Sequence, residues 1–199
     1  MEIKVQKNVE LKNFCTYKTG GRAKFFAKAT TWQEMLGLRE FAKHQKVPFL
    51  VLGGGSNILF DDKGYPGLII QNKMEKVHFH KDNIVTAESG VNLMKFLLVC
   101  AEKNLGGMSG LANVPGSVGG AVYGNAGIPE IAISDRLLQV TILPAGKNEI
   151  IKVGPEYFEF SYRTSKAKKT GDWILSATFK MESCPKAMVR KEISDSSKK

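Results

Sequence analysis

Gly110-Leu111-Ala112-Asn113-Val114-Pro115-Gly116-Ser117-Val118-Gly119-Gly120-Ala121, followed by Gly124-Asn125-Ala126-Gly127, is the stretch on which the fold turns. Its glycines and proline recur too often for a simple helix or strand, yet no side chain in it is charged. A surface linker would be more polar. An uncharged, glycine-rich backbone instead suits close packing against a flat ligand that carries a pyrophosphate.

A second glycine cluster lies upstream. Gly53-Gly54-Gly55-Ser56-Asn57 follows a predicted buried strand, Val47 to Leu52. Glycine permits positive φ and close approach, so successive amides can converge on a phosphate, with Ser56 and Asn57 adding side-chain donors. A dinucleotide loop of the GxGxxG kind needs a helix directly after it. Here Ile58-Leu59-Phe60 reads as strand, before a turn at Asp61 to Gly64, so that reading fails and an ordinary tight turn stays the competitor. Two such loops on separate strands would grip a dinucleotide from two sides.

Around these loops the pattern is mixed. Thr31-Trp32-Gln33-Glu34 reads as a capping box opening a helix whose apolar face is Met35, Leu38, Phe41 and Ala42. Leu68-Ile69-Ile70 is a further buried strand. Val77 and Phe79 alternate with His78 and His80, and a turn at Lys81-Asp82-Asn83 leads into a strand from Ile84 to Ala87. Asn92 caps an apolar helix through Lys103, stopped by Gly106-Gly107. Leu137 to Leu143, Ile150 to Val153, Phe158 to Phe160 and Trp173 to Met181 read as strands. The expectation is an α+β chain with an α/β-like subdomain over residues 1–72 and a strand-rich one over 73–182. Residues 183–199 read as a polar tail, in which Met188, Val189 and Ile193 mark at most a weakly apolar helix with nothing downstream to pack on.

Composition narrows the classes. With 43% hydrophobic and 24% charged residues the chain is globular rather than disordered. It has no signal-peptide pattern and no apolar run long enough to span a bilayer, the longest being Phe96 to Ala101. Cys15, Cys100 and Cys184 are odd in number and scattered, which fits reduced thiols of a cytoplasmic protein. No CxxC pair exists, and His78-x-His80 lacks a third ligand, so no metal is expected. The net charge of +10 fits solvated lysines or attraction of phosphate-bearing ligands. Without a basic block interleaved with aromatics, nucleic-acid binding rests on charge alone. Glu88-Ser89-Gly90 reads as a strand end before a helix cap, and Cys100 as a buried packing thiol.

Five motifs in order then carry a resemblance: Thr16-Tyr17-Lys18-Thr19-Gly20-Gly21, Val51-Leu52 with Gly53 to Asn57, Pro115-Gly116-Ser117-Val118-Gly119-Gly120, Asn125-Ala126-Gly127 and Tyr162-Arg163-Thr164-Ser165. From about Leu11 to Phe179 the chain closely resembles the UDP-N-acetylenolpyruvoylglucosamine reductase (UDP-N-acetylmuramate dehydrogenase) family. The resemblance implies the two-subdomain FAD-binding fold of the vanillyl-alcohol oxidase type, with FAD bound tightly and non-covalently and NADPH as hydride donor. It implies FAD contacts from Gly53, Gly54, Gly55, Ser56, Asn57, Asn113, Pro115, Gly116, Ser117, Gly119, Gly120, Asn125, Ala126 and Gly127. Tyr162, Arg163 and Ser165 would face the UDP-sugar. Arg163 matches the arginine facing the enolpyruvyl carboxylate, where a planar permanent cation stabilises charge developing during conjugate hydride addition.

Family members continue into a substrate-binding domain that supplies the serine or cysteine proton donor and a glutamate. Neither segment occurs here, so FAD binding is expected to survive better than turnover, and Ser194, Ser196 and Ser197 are not substitutes. The resemblance implies peptidoglycan synthesis in the cytoplasm, with a separately supplied substrate domain as a candidate partner. The alternatives are a non-catalytic flavin-binding module and a different flavin oxidoreductase of the same fold.

Overall fold

The computed structural model describes residues 4–196, so Ser197, Lys198 and Lys199 lie outside the described residues. The chain divides into two compact units, Met1–Met74 and Glu75–Lys199.

The first unit is a four-stranded sheet with strands β1 (Gln6–Glu10), β2 (Arg22–Ala29), β3 (Phe49–Leu52) and β4 (Tyr65–Asn72) in the order β1-β2-β4-β3. β1 runs antiparallel to β2, whereas β2 and β3 both run parallel to β4. Helix α1 (Trp32–His44) makes the crossover and packs on β2 and β4. Alternate β2 side chains go to opposite faces. Phe25 meets Phe41 of α1 edge-on at 5.3 Å, while Phe26 joins Leu11, Cys15, Leu52, Phe60 and Ile69 on the other face. Burial on both faces is why Leu68-Ile69-Ile70 is continuously apolar.

Three local readings are extended or changed here. At the start of α1, Thr31 Oγ1 accepts from the Glu34 amide at 3.2 Å, and the Glu34 carboxylate reaches back to the Thr31 backbone and, in addition, to the amide and hydroxyl of Thr30. The box thus keeps its sequence signature and takes in Thr30 as a further donor. Those bonds, led by the one from the Thr30 amide, hold the Glu34 carboxyl below its ordinary range. Second, Ile58-Leu59-Phe60 is not a strand. Phe60 is buried and Leu59 exposed, so the alternation that mimicked a strand comes from a loop lying over the core. Third, β1 and β2 were not legible, although they frame the Thr16–Gly21 motif.

The second unit contains β5 (Val77–Phe79), β6 (Ile84–Glu88), α2 (Leu93–Ala101), β7 (Leu105–Gly106), α3 (Val118–Tyr123), β8 (Gly127–Ile128), β9 (Ile131–Ala132), β10 (Leu137–Leu143), β11 (Ile151–Val153), α4 (Ala167–Thr170), β12 (Trp173–Lys180), β13 (Glu182–Ser183) and α5 (Lys186–Ser196). Its main sheet is antiparallel, ordered β11-β10-β12-β6-β5, with Ala177 paired to Val140 on one side and to Ala87 on the other. α3 packs on β12 and β6, and Phe96 of α2 meets Phe179 of β12 at 5.3 Å. One continuous core joins these helices to the sheet.

Here too the structure departs from expectation. α2 ends at Ala101 rather than Lys103, because Asn104 at φ +57 turns the chain before Gly106-Gly107. Phe158 to Phe160 is not a strand: Pro155 opens a 3-10 turn over Pro155–Phe158, and Glu159 leaves it in the left-handed region. The two rings stack at 5.1 Å, which explains the apolar spacing. The glycine-rich run also contains a helix after all, α3, begun by Ser117, whose Oγ accepts from the Gly120 amide at 3.3 Å.

The polar stretch beyond Cys184 forms α5, and its packing partner lies upstream in the chain. Val189 and Ile193 join the core of the second unit, and α5 packs on α2 and on the 3-10 turn Ser109–Asn113. Both ends draw caps from that unit. Asn104 Oδ1 accepts from the Lys186 amide at 3.0 Å, and Asn113 Nδ2 donates to the Ser196 carbonyl. Lys186 and Arg190 both reach Glu102, and those hydrogen bonds hold its carboxyl below the usual range.

Candidate functional site

In the first unit the loop after β3 is pinned from behind. The Gly55 carbonyl accepts from the Thr16 amide at 2.9 Å, and Gly55 sits at φ +70. A Cβ there would lie 1.9 Å from the Phe14 carbonyl oxygen, so only glycine fits. This seats the loop on the segment Phe14–Thr16, while Gly54 and Asn57 are exposed at its other edge. Uncharged backbone fixed from one side and open on the other fits a ligand phosphate.

In the second unit the glycine-rich run is seated on the connection between β6 and α2. Val118 donates to the Val91 carbonyl at 2.8 Å and Gly119 to the Ser89 carbonyl at 2.9 Å, while Leu93 donates to the Gly116 carbonyl at 3.0 Å. Asn92 Nδ2 also reaches the Gly116 carbonyl, at 3.4 Å. With the Gly120 amide on Ser117 Oγ, the amides of residues 118 to 120 are all engaged inside the protein. Gly119 is buried, and a Cβ added to it would meet Ser89 Cβ at 2.5 Å. Of the residues expected to touch FAD, Ser117 and Gly119 therefore have structural duties, as cap and packing contact. Asn113 caps α5. Ala126 is buried, with its amide on the Ala121 carbonyl, and Gly127 pairs with Ala132. Pro115 and Gly120 are exposed.

Asn125 differs from these. It sits at φ +44, where asparagine is better tolerated than most side chains. Its Nδ2 donates to the Ser161 carbonyl at 3.1 Å, and its Oδ1 is buried with no hydrogen-bond partner. A buried acceptor without a donor is uncommon and fits completion by a ligand.

Residues Ser161–Thr164 form a narrow turn. Ser161 and Thr164 exchange both backbone hydrogen bonds at 3.2 Å, which pushes Tyr162 and Arg163 to the tip. Tyr162 is 90% exposed, and the Arg163 guanidinium lies 5.9 Å from its ring centre. Arg163 holds φ +56, a conformation that costs a non-glycine residue about 1 kcal/mol or more. Two side chains brace the turn. Lys168 Nζ donates to the Arg163 carbonyl at 2.6 Å, and Ser165 Oγ donates to the Tyr123 carbonyl at 2.7 Å. Ser165 is thus buried, with its hydroxyl engaged as an anchor inside the protein. Sequence reasoning read Asn92 as a helix cap, which it is, but not its bond to the Gly116 carbonyl, and it missed Lys168 and the seat at Ser89 and Val91.

In the same unit, buried Asp172 accepts from the Ala145 amide at 2.9 Å, Tyr157 Oη at 2.7 Å and Thr170 Oγ1 at 2.5 Å. Burial alone would raise its pKa, but these three bonds, with the Lys166 charge, outweigh it and hold the carboxyl below its ordinary value. The same bond is the main cause of the raised Tyr157 pKa. Among the described residues no three His, Cys, Asp or Glu side chains group as metal ligands; His80 Nε2 lies 3.0 Å from Thr86 Oγ1. No helix among them is long and apolar enough to cross a membrane.

Residues 23–154 match the family described as the FAD binding domain. A UDP-N-acetylenolpyruvoylglucosamine reductase of Chlamydia trachomatis serovar L2 is 34% identical over 189 residues, 94% of this chain and 64% of that protein. The Clostridium novyi enzyme of that name is 34% identical over 89% of this chain and 58% of its own length. This chain thus spans less than two-thirds of those relatives. Among solved structures, UDP-N-acetylenolpyruvylglucosamine reductase from Thermus caldophilus superimposes with TM-score 0.82 at 26% identity, covering 99% of this chain and 69% of that one. A cholesterol oxidase from Brevibacterium sterolicum shares the fold, with TM-score 0.67 at 13% identity over 92% of this chain and 38% of its own.

Proposed function

Because the chain belongs to the FAD binding domain family, and its curated relatives are UDP-N-acetylenolpyruvoylglucosamine reductases, we propose that it is the FAD-binding portion of such a reductase. The reaction assigned is NADPH-dependent reduction of UDP-N-acetylglucosamine enolpyruvate to UDP-N-acetylmuramate, a cytoplasmic step of peptidoglycan synthesis. One observation carries the reading: the exposed Tyr162–Arg163 turn is tied by Asn125 to the glycine-rich run that the family match covers.

The residues fit FAD in three respects. The Gly53–Asn57 loop offers an uncharged edge, the run from Pro115 to Gly127 carries no charged side chain, and Asn125 Oδ1 is an acceptor lacking a donor. Gly54, Asn57, Pro115, Gly116, Gly120 and Asn125 are the FAD contacts we favour, with Gly55, Ser117 and Gly119 shaping their loops. FAD, when bound, supplies a two-electron carrier between NADPH and the enolpyruvyl double bond. Arg163 binds the enolpyruvyl carboxylate through its planar donor fork and stabilises the negative charge that grows there during reduction. Tyr162 shapes the entrance beside it. Protonation of the reduced substrate requires a general acid within hydrogen-bond reach, and we assign no described residue to that role.

An absorbance titration tests this. The purified chain, reconstituted with FAD, should show a flavin band that NADPH bleaches under anaerobic conditions. Absence of any flavin band after reconstitution overturns the proposal. Recovery of the band on adding the enolpyruvyl UDP-sugar, with product formed, would show that this chain supplies its own proton donor.

A further inference from the structure

The Asn125 side chain faces two ways. Its Nδ2 must be the atom toward Ser161, because a carbonyl oxygen 3.1 Å away demands a donor. The buried atom without a partner is therefore the oxygen, an acceptor. The Ser161 carbonyl it serves also accepts from the Thr164 amide at 3.2 Å, the bond that closes the Tyr162–Arg163 turn. One planar amide thus connects an unmet acceptor to the turn that holds the strained Arg163 backbone.

We propose that Asn125 is a positioning residue that couples cofactor occupancy to the Tyr162–Arg163 turn. Its Oδ1 accepts a hydrogen bond from an O–H or N–H of bound FAD, and its Nδ2 fixes the Ser161 carbonyl, so filling one side immobilises the other. Without the ligand donor, the buried oxygen favours amide rotations that break the bond to Ser161, since burial without a partner is costly. With it, a single rotamer satisfies both ends. The turn is then ordered before substrate arrives. The inference rests on the FAD reading above.

Hydrogen exchange at the Ser161 and Thr164 amides, with and without FAD, tests the coupling independently of turnover. In the wild-type chain FAD should slow both amides by about fivefold or more, the factor one hydrogen bond supplies. Asn125→Gly removes both side-chain bonds yet tolerates φ +44. It should bind FAD about five- to tenfold more weakly, measured by flavin fluorescence, and at saturating FAD show no added protection of the turn. Asn125→Asp keeps an acceptor but turns a carboxylate oxygen toward the Ser161 carbonyl, so it too should lose the FAD-dependent protection, and it decides the matter if the glycine variant does not fold. Equal FAD-dependent protection in the variants, or unaltered FAD affinity in Asn125→Gly, overturns the coupling while leaving the FAD reading intact. Failure of the wild-type chain to bind FAD at all removes the reading beneath it.

Discussion

Gly119 and Ser89 meet so closely that a single added carbon at residue 119 would sit 2.5 Å from Ser89 Cβ and 2.9 Å from its carbonyl oxygen. The glycine-rich run is thereby bolted to the β6–α2 connection. Gly119→Ala must push the two apart and break the bond from its amide to Ser89. Overpacking of this kind typically costs about 1–3 kcal/mol, so a urea titration should show a lower midpoint, with FAD affinity falling through loop displacement. Gly120→Ala, whose added carbon would meet only Ser117 Oγ at 3.4 Å, should be much milder.

Arg163 offers a sharper contrast. Its φ of +56 means that Arg163→Gly relieves backbone strain while deleting the guanidinium. The variant should equal or exceed the wild type in stability, by up to about 1 kcal/mol, although glycine's entropy in the unfolded chain offsets part of the gain. In an enzyme complete for turnover the same change should lower kcat/KM by about 10²–10³, as loss of a charge-stabilising donor does. FAD affinity should stay within about threefold if Arg163 faces substrate only.

Asp172 makes the unit sensitive to acid. Its folded-state pKa is lowered, so its stabilising contribution is present above the unfolded value near 3.9 and is lost as pH falls through the folded value. Denaturation followed from pH 6 downward should lose stability below about pH 4. Asp172→Asn should flatten that slope and, by setting an amide N–H against one of three donors, cost about 1–3 kcal/mol at neutral pH.

The thiols should react unequally. Cys100 is fully buried in α2 and burial pushes its pKa up to about 12. Cys15 is buried with its Sγ 3.2 Å from the Thr19 carbonyl, whereas Cys184 is half-buried. A disulfide reagent applied to the native chain should therefore modify Cys184 first, with the other two reacting only at the rate of opening. Cys184→Ser should abolish the early phase; persistence of that phase would contradict the burial described.

Much of this was legible because local signals were strong. The caps at Thr31 and Asn92, the helices they open, and β6, β10 and β12 follow from patterns contained within single segments. What stayed hidden depended on distant partners. β2 gains its meaning from pairing with β4, and α3 from carbonyls of Ser89 and Val91 nearly thirty positions earlier. Family likeness marked Asn113, Ser117, Gly119 and Ser165 as ligand contacts, but a motif cannot show the internal duties that the same residues carry in shaping their loops. Their hydrogen-bond partners reveal those duties.

α5 is a helix on loan. Among the described residues, Asn104 and Asn113 of the surface beneath complete its two ends, Lys186 and Arg190 bridge to Glu102, and Val189 and Ile193 join the core. Its helicity is consequently conditional on the state of the surface beneath, like a gauge fastened to a machine. Any event that shifts the Ser109–Asn113 turn, at the head of the glycine-rich run, should first register as faster proteolysis and isotope uptake between Lys186 and Ser196. The segment that reads as the least structured in the sequence becomes a built-in reporter on the most functional one.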